Sequence, residues 1–244
     1  RLGSSVSVVE FADQIMGQED ADMADIVRDR LREDGVEIYT GTRAIKAAAD
    51  GTAVKVTVAP AGGDTKVISG DALLVAVGRK PNLDGLDLDK AGIAVGPRYI
   101  PVDSRMRTNI RHIYACGDVN GLMPFTHAAG YQAGIALTNA VLRLPRHVDH
   151  RKVGWCTYTD PEVASIGLNE KRAVKEGIPY RIMEEHFREN DRALTEGETS
   201  GKIKVLVDPK GKLLGCQIAG PHAGELIHEW IVAVTGGLGL SRMA

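Results

Sequence analysis

Apolar positions at the start of the chain follow a strand–helix–strand order. The run 5–10 predicts a buried strand, and 36–39 predicts a second one. Between them, apolar residues at helical spacing predict a helix over 20–34, which Gly35 ends. This order is typical of the second half of a parallel nucleotide-binding unit.

The next segments predict an antiparallel meander followed by a covered strand. Gly-containing turns separate three short stretches of strand character, at 45–48, 53–58 and 66–69. Residues 71–77 are almost all apolar and predict a strand covered on both faces, ending at Gly78. Pro81 and Asn82 then break the chain, which indicates a domain crossing.

The pattern changes twice more in the second half of the chain. Residues 83–107 are loop-rich, 112–115 predict a short strand, and 126–142 predict a helix. Beyond a charged stretch that runs through Arg151, strands and helices are segregated, as in an α+β domain on an antiparallel sheet. The predicted strands there are 155–157, 180–185, 201–207 and 213–219, and the predicted helices are 169–176 and 224–234.

Composition narrows the class of protein. The 244 residues suffice for about two domains, and 43% hydrophobic with 25% charged residues is ordinary for a globular protein. A net charge of −2 argues against nucleic acid or an anionic membrane as a partner, and no apolar run approaches the ~18 residues of a membrane span. The three cysteines are far apart and form no metal-binding pair, so we expect no metal site and a reducing, cytoplasmic setting.

Glu10 follows the first predicted strand. In a dinucleotide-binding fold, an acidic residue at this place accepts hydrogen bonds from the adenosine ribose and disfavours the 2′-phosphate of NADP. A solvated surface glutamate is an equally good interpretation of this residue alone, because the glycine-rich fingerprint that should precede it is absent.

The stretch 108–118 carries the strongest chemical signal. Gly117 allows a tight turn at a strand end, and Asp118 then directs a carboxylate into the crevice where open α/β sheets bind ligands. The helix that follows begins near Thr126, a natural N-cap, and its exposed N–H groups suit an anion. We expect His127 to act through its backbone rather than by proton transfer.

Four segments together resemble the pyridine nucleotide-disulfide oxidoreductase family, and within it they are most similar to dihydrolipoamide dehydrogenase and mercuric reductase. They are 1–10, Val-Gly-Arg-Lys-Pro-Asn at 77–82, the stretch 108–118 and the helix start 125–134. Two later segments, 157–168 and 215–225, are similar to the dimerisation domain of that family.

The resemblance implies incomplete Rossmann-like NAD and FAD domains followed by an α+β dimerisation domain. The implied bounds are 1–81 for a partial NAD-binding domain, 82–149 for the C-terminal part of the FAD-binding domain, and 150–244 for the dimerisation domain, truncated at its C-terminus. The implied NAD contacts are Glu10, Ala44 and Gly78. The implied FAD contacts are Gly117, Asp118, Thr126, His127 and Ala128.

The sequence also departs from the family pattern. Neither glycine-rich dinucleotide loop is present, nor is the redox-active C-x-x-x-x-C pair, and the chain stops near Ser241 before a His-Pro motif would be expected. We therefore assign no catalytic residue here, and we interpret Cys116, Cys156 and Cys216 as structural. The resemblance implies a C-terminal part of a longer enzyme, inactive and weakly FAD-binding by itself.

The implied activity is electron transfer between NAD(H), FAD and a disulfide or dithiol, by a homodimer. The disulfide could belong to a small molecule or to a protein. Alternatives on the same scaffold are an NADH oxidase or a metal-ion (mercuric) reductase. A different alternative is a non-catalytic, truncated fragment that dimerises.

Overall fold

The computed structural model describes residues 3–243. Arg1 and Leu2, with which the first family-like segment begins, and the final residue Ala244 lie outside the described residues. Packing groups the chain into two units: residues 3–75 with 154–243 form one, and residues 76–153 form the other. The three-domain division at 81/82 and 149/150 stays a prediction. In the described part of the chain, no helix has the length and apolar character to span a membrane.

The first unit opens with the predicted strand–helix–strand. Strand β1 (Ser7–Val9) pairs in parallel with β2 (Glu37–Tyr39), and helix α1 (Ala21–Glu33) connects them. Gly35 follows the helix with a φ of 86°, as expected for its end. The prediction that the run 5–10 is buried was wrong: Val6 is 44% exposed, because β1 has one neighbouring strand in the described residues.

A three-stranded antiparallel meander confirms the next prediction. It consists of β3 (Thr42–Asp50), β4 (Ala53–Pro60) and β5 (Lys66–Gly70), joined in that order. The strand predicted over 71–77 was wrong. This segment is irregular, and Leu74 and Val77 are each 90% exposed. A strand needs a neighbour for its ladder hydrogen bonds, and no described strand pairs with this segment.

The second unit is loop-rich, as expected, and is built around helix α2 (Thr126–Ala140). Met106, Ile135 and Ala136 form its apolar core. The strand predicted at 112–115 was wrong, because only a single bridge joins Tyr114 to Arg107. The predicted N-cap was also wrong: Phe125 holds that position, and its side chain makes no capping hydrogen bond.

The remainder of the first unit is the predicted α+β fold. Five antiparallel strands lie in the order β6-β7-β10-β9-β8. Their bounds are β6 (Trp155–Thr157), β7 (Glu162–Gly167), β8 (Arg181–His186), β9 (Lys202–Val207) and β10 (Leu213–Gly220). The helices are α3 (Glu170–Glu176), α4 (Asp191–Glu196) and α5 (Ala223–Gly236). Strand β7 and helix α4 were not predicted.

Successive side chains of these strands point to opposite faces of the sheet, and both faces are apolar. Ile166 on β7 and Ile218 on β10 pack with Ile227 of α5. On the opposite face, Val163 and Ala219 pack with α1, whose Met23 and Val27 belong to the same apolar cluster. The nucleotide-binding-like segment at the start of the chain is therefore part of the same packed unit as the C-terminal sheet.

Candidate functional site

The turn at Gly117 is tightly packed against helix α2. Gly117 is buried with a φ of 78°, a conformation that residues with a Cβ rarely adopt. A Cβ atom at this position would lie 3.0 Å from the Cβ of Ala129 on α2. Glycine is needed here for both reasons. The turn leaves the next residue, Asp118, exposed to solvent.

Helix α2 begins at Thr126, with Phe125 at its N-cap position. Thr126 and His127 are exposed, and Ala128 is buried. The first N–H groups of a helix have no partner within it, and the helix dipole places partial positive charge there. The side chain of the N-cap residue, Phe125, makes no capping hydrogen bond. His127 also stacks on Phe125, with ring centroids 5.5 Å apart, which restrains the helix start.

These two features fit the flavin end of FAD. The exposed Asp118 carboxylate can accept hydrogen bonds from ribityl hydroxyls, and the first turn of α2 can donate to the ring edge where negative charge develops on reduction. The close approach at Gly117 holds the turn that carries Asp118 directly against the same helix. The residues present therefore match the chemistry of the cofactor that the resemblance implies.

The buried amide of Gln132 connects the Gly117 turn to His150, near the C-terminal end of the second unit. Its Oε1 accepts from the backbone N–H of Gly117 at 2.8 Å and from Asn120 Nδ2 at 2.7 Å. Its Nε2 lies 3.0 Å from His150 Nε2. Gln132 has no exposed surface, whereas His150 is half-buried. Sequence reasoning missed Gln132 and His150. A long polar side chain in the middle of helix α2, among small and apolar neighbours, is the signal that could have found Gln132.

The predicted NAD residues lie in different units. Glu10 follows β1, as expected, and its Oε1 accepts from the backbone N–H of Ala12 at 2.8 Å, which holds the half-buried carboxylate in place. Ala44 is exposed on β3. Both belong to the first unit, whereas Gly78 is an exposed residue of the second, with a φ of 132°.

The three cysteines form no disulfide, and each has a raised pKa. Burial raises the pKa of the Cys116 and Cys216 thiols. Burial, together with the nearby carboxylate of Glu162, raises the pKa of Cys156 to about 12. Few thiolates form at neutral pH under these conditions, which agrees with a structural interpretation.

A cluster of charges ties strand β9 to the start of α1. The ammonium of Lys204 is fully buried and lies 2.8 Å from Asp20, 2.7 Å from Asp22 and 2.9 Å from Glu170. The three carboxylates could geometrically hold a metal ion, but Lys204 already satisfies them. Asp20 also accepts from the backbone N–H groups of Glu170 and Lys171 at the start of α3. Sequence reasoning missed this cluster, although a lysine within an apolar strand signals buried carboxylate partners.

A second buried acid, Glu19, lies beside this cluster. Its carboxylate accepts from the indole of Trp155 and the hydroxyl of Ser165, each at 2.7 Å, and from the amide of Gln217 at 2.6 Å. Consecutive residues of the segment before α1 therefore insert into the face of the C-terminal sheet. The segment that follows Glu10 is fixed by this sheet.

Comparison with known proteins agrees with the fold and the motifs. The family described as pyridine nucleotide-disulphide oxidoreductase matches residues 1–133, and its dimerisation domain matches residues 153–244. The dihydrolipoyl dehydrogenase of Bacillus subtilis is 38% identical over 97% of this chain and 51% of its own length. The mitochondrial dihydrolipoyl dehydrogenase of Pisum sativum is 37% identical, over 96% of this chain and 47% of its own length.

Solved structures show the same relationship. LpdA from Mycobacterium tuberculosis superposes with a TM-score of 0.89 and 31% identity, covering 98% of this chain and 52% of that protein. The HOCl-induced flavoprotein disulfide reductase RclA from Escherichia coli gives 0.86 and 29%, covering 98% of this chain and 55% of that protein. The chain thus spans about half the length of the curated relatives it matches. With family matches over most of its length, it belongs to the pyridine nucleotide-disulphide oxidoreductase family.

Proposed function

We propose that this chain forms part of an FAD-dependent oxidoreductase that passes electrons between NAD(H), FAD and a disulfide or dithiol, as a dihydrolipoyl dehydrogenase does. When bound, the flavin supplies the chemistry that links hydride transfer from NADH to reduction of a disulfide. The residues of this chain orient the cofactors. The disulfide belongs to a small molecule or to a protein.

One observation carries this proposal: the Gly117–Asp118 turn is packed against α2 near the start of that helix. The turn presents a carboxylate, and the helix start presents N–H donors and the positive end of its dipole. FAD needs both kinds of group, acceptors for the ribityl hydroxyls and donors for the reduced ring. Asp118 would hold the ribityl chain, and the backbone of 126–128 would contact the ring.

Glu10 supports NAD rather than NADP as the nucleotide. Its carboxylate is fixed at the carboxyl end of β1 by the backbone N–H of Ala12, with its other oxygen available to a ribose hydroxyl. A fixed negative charge there repels a 2′-phosphate. Ala44, which belongs to the same unit as Glu10, would contact the nucleotide through its backbone.

The dimerisation domain supports a homodimer that pairs through residues 153–244. We propose a cytoplasmic setting from the widely spaced, unpaired cysteines. Three large apolar side chains of this region are well exposed: Tyr158 at 82%, Leu226 at 45% and Val232 at 68%. Obligate dimers bury such apolar surface at their interfaces. Because the net charge of the chain is only −2, we propose no nucleic-acid partner and no membrane partner.

The Asp118→Asn variant tests the flavin assignment in the FAD-loaded protein that contains this chain. Asparagine keeps one accepting oxygen but loses the charge that strengthens hydrogen bonds from the ribityl hydroxyls, so the dissociation constant for FAD should rise about 10-fold. Asp84→Asn is the matched control, because Asp84 is an exposed aspartate of the same unit. Equal FAD affinity in both variants would reject the assignment.

Turnover of oxygen or a metal ion, with no disulfide reduction, would favour the NADH oxidase or metal-ion reductase alternative.

A further inference from the structure

The hydrogen bonds around Gln132 have only one consistent direction. A backbone N–H can only donate, so the group of Gln132 that faces Gly117 N at 2.8 Å must be the carbonyl oxygen. Asn120 agrees with this assignment. Its Oδ1 accepts from the N–H of Leu122, which leaves its Nδ2 to donate to Gln132 and to the carbonyl of Ala115.

This direction determines the protonation of His150. With its oxygen directed at Gly117, Gln132 must direct its amide NH₂ at His150 Nε2, 3.0 Å away. That nitrogen must therefore accept, so His150 is neutral and carries its proton on Nδ1. Burial lowers the pKa of His150, with an opposing contribution from Asp149, which favours the same neutral form.

Gln132 lies on the face of α2 that receives the Gly117 turn. Ala129, three residues earlier, is the residue that a Cβ at Gly117 would meet, and Ala128, four residues earlier, ends the ring-facing first turn. One helix face therefore carries the packing contact, the hydrogen bond to the turn and the start of the ring site. All of these groups belong to the second unit.

We propose that Gln132 is a positioning residue that fixes the Asp118 turn relative to the first turn of α2, with neutral His150 holding its far end. This inference deepens the proposed function and rests on it. Gln132 would contact no part of the flavin. It would set the separation between the ribityl-facing carboxylate and the ring-facing N–H groups, so that one rigid cofactor can satisfy both.

The first test concerns the chain itself and requires no cofactor. Nitrogen-15 NMR of the histidine rings should show His150 neutral at pH 7 with its proton on Nδ1. In Gln132→Glu, one carboxylate oxygen still accepts from Gly117 and the other faces His150, so the imidazole should be protonated at pH 7. A wild-type His150 with its proton on Nε2, or the same titration in both proteins, overturns the hydrogen-bond direction.

The second test uses the FAD-loaded protein that contains this chain. Gln132→Leu removes the acceptor of the Gly117 N–H and of one N–H of the Asn120 amide, and should raise the FAD dissociation constant about tenfold or more. It should also change the visible circular dichroism of the bound flavin. Gln132→Glu retains the acceptor and should bind FAD within about threefold of wild type. A leucine variant that melts earlier but keeps the FAD affinity and spectrum would show a merely structural role and overturn the proposal.

The outcomes separate the two levels of inference. If Asp118→Asn leaves FAD binding unchanged, the proposed function fails. If Asp118→Asn weakens binding and Gln132→Leu does not, only the positioning role fails. Should the leucine variant not fold, Gln132→Glu decides: retained FAD affinity with a protonated His150 supports the role, whereas lost affinity in a folded protein overturns it.

Discussion

Replacing Lys204 with methionine should destabilise the first unit more than any other single lysine substitution on strand β9 or the turn after it. The ammonium is fully buried and contacts Asp20, Asp22 and Glu170. Burial alone would lower the pKa of Lys204, but its hydrogen bonds to these three carboxylates raise it overall. Methionine fills a similar volume without the charge, so the carboxylates lose their common partner.

The size of the stability loss in Lys204→Met depends on which of the three carboxylates are buried. Removing one partner of a buried ion pair costs about 3–5 kcal/mol. Asp22 and Glu170 are 39% and 33% exposed and can recover hydration, whereas Asp20 is 3% exposed and keeps only its bonds to backbone N–H groups. We therefore expect the lower end, about 3 kcal/mol. For a unit of this size, that corresponds to a melting temperature lower by about 6–12 °C.

The assay is thermal and urea unfolding of Lys204→Met beside a control, Lys210→Met, which changes an exposed lysine of the turn after β9. The control should shift stability by less than about 0.5 kcal/mol. The double variant with Asp20→Asn should recover part of the loss, because the uncompensated charge is then removed. A Lys204 variant as stable as the control, or a double variant whose losses simply add, would refute the reasoning.

The pH dependence of the same cluster can be predicted with its sign. Burial would raise the pKa of Asp22, but hydrogen bonds to Lys202 and Lys204 lower it below 3.8 overall. The folded state then binds fewer protons than the unfolded state near that pH, so this stabilisation is complete above about pH 5 and is lost as the pH falls through and below 4. Urea unfolding between pH 3 and 6 should show a larger acid loss in wild type than in Lys204→Met, in which Asp22 keeps only its bond to Lys202. Parallel curves would contradict the assignment.

Three further predictions follow from single residues. Gly117→Ala should destabilise the second unit and weaken FAD binding, because a Cβ would meet Ala129 and the φ is strained for alanine. In the same melting experiment, the control Gly134→Ala should be neutral or slightly stabilising, because its Cβ meets open space on α2. Glu10→Gln, in the protein that contains this chain, should narrow the preference for NADH over NADPH in kcat/KM; an unchanged ratio would count against its ribose contact. Cys156, whose pKa is raised to about 12, should react with iodoacetamide at pH 7 far more slowly than a free thiol, as followed by mass spectrometry.

Local apolar patterns predicted most elements of the fold. Helix α1 has apolar positions at the spacing of one buried face, whereas strands β9 and β10 are apolar on both faces. The bounds of these three elements agree with prediction within a few residues. The predictions of strands at 71–77 and 112–115 were wrong for the same reason. Both are apolar enough for strands, but a strand exists only beside a partner, and composition does not show whether one is present.

The candidate site was predictable where a local motif carries it, and not where tertiary contacts do. Gly117 and Asp118 could be selected because their chemistry depends on adjacent residues. Gln132 is 15 positions from Gly117, and Lys204 is 184 from Asp20, so only folding brings them together. Their polarity within apolar elements indicates that each needs a partner, but it does not identify which one.

The most direct test of the central claim is an anaerobic titration of the protein that contains this chain with NADH, followed by the flavin absorbance. The account predicts bound FAD that NADH bleaches at least tenfold more efficiently than NADPH, and whose colour returns when a disulfide such as lipoamide is added. A protein without flavin, or a flavin that NADH does not reduce, would contradict it.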